Sequence, residues 1–122
     1  MKKNLGIAAL LGALTIILGA FGAHALEEVL TVEGLKSFET AVRYQMYHVI
    51  VLLFVNAYSE FSLKTKNSIS YLFFAGILFF SGSIYAITLG VNPKNIWFIT
   101  PLGGLFFILG WLKMGISYFK KE

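Results

Sequence analysis

The sequence predicts an all-α integral membrane protein, a four-helix bundle forming one membrane domain over residues 1–122. Three observations lead to this fold class. The chain is 57% hydrophobic and only 13% charged, about half the ~25% charged content of ordinary globular chains. So much apolar surface on 122 residues calls for lipid as the solvent. Charges then cut the chain into four uncharged runs: 23 residues between Lys3 and Glu27, 16 between Arg43 and Glu60, 27 between Lys66 and Lys94, and 18 between Lys94 and Lys113. Finally, the lysines and arginines collect at the edges of those runs, a placement that serves membrane topology rather than nucleic-acid binding. There are no cysteines, which excludes disulfides, thiolate metal sites and cysteine nucleophiles.

A membrane helix takes roughly 17–25 apolar residues. The first run qualifies, as a helix at about 5–25. Its end, "GAFGAHAL" (19–26), also contains the A-x-A pattern of a signal-peptide cleavage site. A signal peptide has an apolar core of roughly 7–15 residues, whereas 18 uncharged residues precede Gly22 here. Retention of this helix is therefore expected. The second run is short, but Ala41 and Val42 extend it if Arg43 snorkels, giving a helix at about 41–60. The acidic link before it carries Glu27, Glu28, Glu33 and Glu39. Thr31 is placed to cap a helix there, with Glu33 favourable in its first turn. Leu35, Phe38 and Val42 recur at helical spacing, so the link holds a short interfacial helix or an outward extension of the second helix. The third and fourth runs give helices at about 68–90 and 96–118, joined by an Asn92-Pro93 turn.

With the N-terminus inside, Lys2, Lys3, Lys64, Lys66, Lys113, Lys120 and Lys121 lie inside, and Lys36, Arg43 and Lys94 outside. The positive-inside rule then favours an N-in/C-in orientation. Helix association in lipid relies on small residues. Gly12, Thr15, Gly19 and Gly22 form one stripe, Gly82, Ala86 and Gly90 a second, and Gly103, Gly104 and Gly110 a third. These stripes serve packing within the bundle or the seam of a homo-oligomer.

The stretch "AVRYQMYHVIVLL" (41–53) carries the most chemistry. At 100° per residue, Arg43, Tyr47, Tyr44 and His48 share an arc of about 140°. A charge at mid-membrane costs roughly 2.5–3.5 kcal/mol on insertion scales, so this face is expected to avoid lipid. Gln45 and Asn56 mark a second, weaker polar line. In the N-in topology, His24, Arg43, Tyr44, Tyr47, His48, Ser81, Ser83, Tyr85, Thr88 and Thr100 all fall in the outer half, and the inner half is left nearly apolar. Such a cluster suits a hydrogen-bonded structural plug. It also suits a pocket for a lipid headgroup or other amphiphile, with His24, Arg43, Tyr44, Tyr47, His48, Ser81, Tyr85 and Thr100 as candidate ligand-binding residues. Haem, quinone or metal binding through His24 and His48 is a further alternative, and proton-coupled transport another, although no carboxylate is buried in a span. No G-x-S-x-G, H-E-x-x-H, P-loop or G-x-G-x-x-G motif occurs, so no catalytic residue is assigned and no enzymatic role is expected.

"GAFGAHAL", "TAVRYQMYH", "FFSGSIY" and "ITPLGGLFFILGW" occur in this order. Together they resemble domain-of-unknown-function family 423, small bacterial inner-membrane proteins related to eukaryotic transmembrane protein 256. The resemblance runs from about Gly6 to Leu112. It implies a multi-pass membrane protein without an established activity, and it maps signature positions onto His24, Tyr44, Gln45, Tyr47, His48, Ser81, Gly82, Ser83, Tyr85, Thr100, Pro101, Gly103 and Gly104. Ala25, where the family often has Gly, is a departure. The combined expectation is a non-enzymatic envelope protein of the bacterial inner membrane, with membrane lipid as partner and no cofactor or nucleic acid.

Overall fold

The computed structural model describes residues 1–120; Lys121, counted above among the inside charges, lies outside them. The described chain is all-α. Four long helices follow one another: α1 (Lys2–Leu26), α2 (Val32–Ala57), α3 (Leu63–Thr88) and α4 (Ile99–Phe119). Helices α1, α3 and α4 are each long and apolar enough to cross a membrane. Helix α2 is as long as α3, but its first half carries Glu33, Lys36, Glu39 and Arg43. The link between α1 and α2 is therefore an outward extension of α2 rather than a separate interfacial helix. Thr31 starts it, its Oγ1 accepting from Gly34 N at 3.0 Å, with Glu33 in the first turn. A hydroxyl cap satisfies one of the four free N–H groups at a helix start.

The remaining links are punctuated by the same chemistry. Ser62 caps α3 by accepting from Thr65 N at 3.2 Å. After α3, Gly90 takes a φ of +113°, a region open to glycine. Val91 N then donates back to Ala86 O at 3.0 Å, closing the helix end. Gly90 thus serves as a helix stop and not as part of a packing stripe. Asn92 Oδ1 accepts from Lys94 N at 3.0 Å across Pro93, as the Asn92-Pro93 turn requires.

The bundle is built around α2, which lies between α1 on one side and the α3–α4 pair on the other. Glycines set the approach. On α1, a Cβ at Gly12, Gly19 or Gly22 would lie 3.4, 3.2 or 3.0 Å from Val49, Val42 or Phe38 of α2. Between α3 and α4 the contact is closer. The backbone at Gly103 presses on the backbone of Phe79 and Phe80, Phe107 fills the space left by Gly76, and Phe73 fills that left by Gly110. The expected α3 stripe is not the one used: Gly82 has nothing nearer than 3.9 Å and Gly90 nothing at all. Both α1 and α3 widen to π-helical hydrogen bonding, over Ile17–Gly22 and Ile77–Ser81. Such a widening turns the following face of a helix relative to the preceding one. On α3 it carries Ser81 to the α2 backbone, where Ser81 Oγ donates to Ala41 O at 2.7 Å.

Burial differs from that of a water-soluble bundle in its apolar exterior and in the polar groups set within the core. Ala8, Val49, Leu52, Val55, Ile69, Phe73 and Phe107 form an apolar core. Interleaved with it are buried Asn4, Thr15, Gln45, His48, Asn56, Ser70 and Ser81. Leu10, Ile16, Phe21, Leu78, Leu105 and Ile108 point outward. Apolar side chains outside and hydrogen-bonded polar groups inside are what a lipid solvent selects.

Candidate functional site

Two buried polar networks cross the bundle. The first is centred on Gln45, only 2% exposed. Its Nε2 donates to Thr15 Oγ1 at 2.8 Å and to Leu11 O at 3.3 Å on α1, and its Oε1 accepts from Tyr85 OH at 2.7 Å on α3. One amide therefore ties three helices. The second lies at the end of the bundle that holds the N-terminus. Asn4 Nδ2 donates to Asn56 Oδ1 at 3.0 Å and to Asn67 Oδ1 at 2.9 Å, and Asn56 Nδ2 donates to Ser70 Oγ at 2.8 Å and to Leu52 O at 2.9 Å. The expectation of an apolar inner half is corrected by this cluster. Asn4 and Asn67 border charged segments in sequence and read as ends of spans, yet Asn4 is buried and Asn67 half-buried, bonded to one another between the first turns of α1 and α3.

The arc of Arg43, Tyr47, Tyr44 and His48 is divided by the bundle surface. His48 is 4% exposed. Trp111 Nε1 donates to His48 Nε2 at 3.0 Å, and His48 Nδ1 lies 2.6 Å from Tyr44 O. An indole N–H only donates, so Nε2 accepts and the proton sits on Nδ1, directed at the carbonyl. The ring also stacks on Phe107, with centroids 3.7 Å apart. Both nitrogens are thus engaged within the fold. Tyr44 rests against Phe80 with 5.0 Å between centroids. Tyr47, at 53% exposure, and Arg43 face outward. The expectation that this whole face avoids lipid is therefore corrected. The polar line that enters the core is the weaker one, Gln45 and Asn56.

The other candidate residues separate in the same way. Ser81 and Tyr85 join α3 to α2 as described, and Thr100 on α4 is hydrogen-bonded to Ser83 on α3. His24 stands apart. Its side chain is 86% exposed, 3.8 Å from Glu27. Gly22 packs on Phe38, so His24 lies about level with that residue, and His48 is ten residues further along α2, roughly 15 Å at 1.5 Å per residue. The two histidines are not brought together, and among the described residues no group of three or more His, Cys, Asp or Glu is gathered to hold a metal.

The geometry leaves open a cavity of about 360 Å³ between the α1–α2 link, the start of α2 and the end of α3, lined by Leu30, Thr31, Ile84 and Thr88 among others, and a furrow between α1 and α2. The furrow's larger part, about 390 Å³, is lined by Ile16, Gly19, Ala20, Val42 and Met46 together with the buried Thr15 and the exposed Arg43 and Tyr47. Its outer part, about 200 Å³, is lined by Gly19, Ala23, Phe38, Glu39, Val42 and Arg43. Arg43 borders both. Its Nη2 donates to Thr40 Oγ1 at 3.2 Å, and among the described residues no carboxylate lies within ion-pair distance of it.

The family model described as "Protein of unknown function (DUF423)" matches residues 18–104. The chain belongs to the DUF423 family. Relatives cover it nearly end to end. The UPF0382 membrane protein SSP2132 of Staphylococcus saprophyticus is 42% identical over 98% of this chain and 99% of its own length. The UPF0382 membrane protein of Haemophilus influenzae is 37% identical over 99% and 97%. The UPF0382 membrane protein YwdK of Bacillus subtilis is 37% identical over 98% of each. No solved structure matches. The matched stretch of this DUF423 protein takes in the end of α1, all of α2 and α3 and the start of α4, and so includes Gln45, His48, Tyr85 and the furrow wall on α2, while the partners Leu11, Thr15, Phe107 and Trp111 lie outside it. Sequence reasoning underweighted Gln45, Asn56 and Trp111 as structural centres. The available signal was an amide inside an otherwise apolar run, which must find partners away from water.

Proposed function

We propose that this membrane protein is a non-enzymatic component of the bacterial plasma (inner) membrane, oriented N-in/C-in, whose α1–α2 furrow holds a phospholipid. One observation carries the reading. Arg43 is a cation without a carboxylate partner, exposed at the boundary between the charged and apolar halves of α2, and it borders an open apolar furrow of about 390 Å³. From Ala41 to Ala57 the apolar half of α2 is roughly 25 Å long at 1.5 Å per residue, close to the ~30 Å of a bilayer core. Arg43 therefore sits at phosphate depth. A guanidinium presents a planar fork of N–H donors that suits phosphate oxygens, and Tyr47 lines the larger part of the furrow. The glycines that would otherwise suit an oligomer seam, Gly12, Gly19, Gly22, Gly76, Gly103 and Gly110, close contacts within the chain, so lipid is the partner supported best.

Native mass spectrometry of the full chain from lipid nanodiscs tests this. The protein is expected to retain a phospholipid, and Arg43→Gln to lower the retained fraction roughly tenfold, the loss of one charge-assisted hydrogen-bonded contact. Equal retention by the variant would refute the reading.

A further inference from the structure

The outer part of the furrow holds two opposite charges, Glu39 and Arg43, one helical turn apart on α2. Both side chains are exposed. An acid four residues before a base is the favourable order for an ion pair along a helix. Here the pair is not made: Arg43 is bonded to Thr40 Oγ1, and among the described residues the one ion pair is that of His24 with Glu27. The two charges stand side by side at the mouth of a channel whose depth is apolar. Their complement is a headgroup that itself carries both signs a short distance apart.

We propose that this site selects a zwitterionic aminophospholipid, a phosphate diester joined by two carbons to a primary ammonium. Arg43 donates to the phosphate oxygens and Glu39 accepts from the ammonium N–H groups, while one acyl chain follows Gly19, Ala20, Val42 and Met46 inward. The inference rests on the phospholipid reading above and adds to it the residue that discriminates. A phosphoglycerol headgroup satisfies Arg43 but sets hydroxyls, and a net negative charge, beside Glu39. A phosphocholine headgroup matches in charge but offers Glu39 no N–H donor.

The experiment uses the full chain in nanodiscs holding equal amounts of phosphatidylethanolamine, phosphatidylglycerol and phosphatidylcholine with identical acyl chains. Retained lipid is counted by native mass spectrometry. The wild type is expected to favour phosphatidylethanolamine about two- to fivefold, the range of an exposed ion pair. Glu39→Gln should remove that preference and keep total retention, and Arg43→Gln should reduce all three lipids. A wild-type preference for phosphatidylglycerol or phosphatidylcholine, or an unchanged ratio in Glu39→Gln, overturns the selectivity while leaving the phospholipid reading intact. No loss in Arg43→Gln, or no lipid on the wild type, overturns both. Both substitutions fall on exposed side chains outside the core, and circular dichroism with a monodisperse elution profile verifies that each variant is folded.

Discussion

Gln45 shows what one side chain does in this fold. Inside the bundle its amide has no water to turn to, so each of its bonds to Leu11, Thr15 and Tyr85 replaces an unsatisfied group rather than a hydrated one. Removing a buried hydrogen-bonding group costs about 1–3 kcal/mol, and individual bonds in membrane bundles average about 0.6 kcal/mol. Gln45→Leu is therefore expected to destabilise the fold by about 1–3 kcal/mol, because it leaves both the Tyr85 hydroxyl and the Thr15 oxygen without this partner. Tyr85→Phe removes only one of the bonds but strands the buried Gln45 Oε1, so it should cost about 1 kcal/mol, at the low end of that range. Denaturant titration in mixed micelles separates the two. At this scale the sequence was partly legible. The spacing of Arg43, Tyr44, Tyr47 and His48 groups them on one arc, but the bundle buries His48 and leaves the other three exposed, because the angle of that arc to the neighbouring helices depends on contacts such as Gly19 with Val42. A periodic pattern on one helix cannot supply that angle. His48 was consequently grouped with residues that face outward, although Trp111, 63 positions away, binds it.

Among the elements, the α3–α4 pair depends on backbone approach. Gly103 lies on the backbone of Phe79 and Phe80, where no side-chain rotamer can move aside, whereas a Cβ at Gly104 would meet only Phe80 Cδ1, at 4.0 Å. Gly103→Ala should force the helices apart at a cost of about 1–3 kcal/mol. Gly104→Ala should be neutral within about 0.5 kcal/mol or gain slightly from helix propensity. Thermal unfolding of the two variants, followed by circular dichroism, distinguishes them. Helix α1 illustrates a second dependence between elements. Asn4 and Thr15 are partners of Asn56 and Gln45, so α1 completes both polar networks of the bundle. Small-residue stripes were legible on α1, where Gly12, Gly19 and Gly22 do meet α2. The stripe read on α3 was displaced, because the π-helical turn at Ile77–Ser81 rotates the packing face and a strict 100° projection carries no term for it.

For the whole molecule, the consistent feature is an exterior of large apolar side chains around a core rich in hydrogen-bonded polar ones. The N-in/C-in orientation is open to direct measurement because the chain has no cysteine. Lys94→Cys, in the link between α3 and α4, is expected to react with a membrane-impermeant maleimide on intact cells. Lys64→Cys, at the start of α3, should react only after permeabilisation, and the reverse pattern would invert the topology. By itself the sequence determined the number of helices, the Thr31 cap, the Asn92-Pro93 turn and the membrane character. These follow from run length, charge placement and local turn chemistry, which act within a few residues. Tertiary structure alone decided which polar line is buried, that amides at the N-terminal end of the bundle form a second network, that His24 and His48 lie apart, and that Arg43 borders an open furrow. Those outcomes depend on the rotation and depth of each helix against its neighbours, and these are set by contacts between residues far apart in the chain.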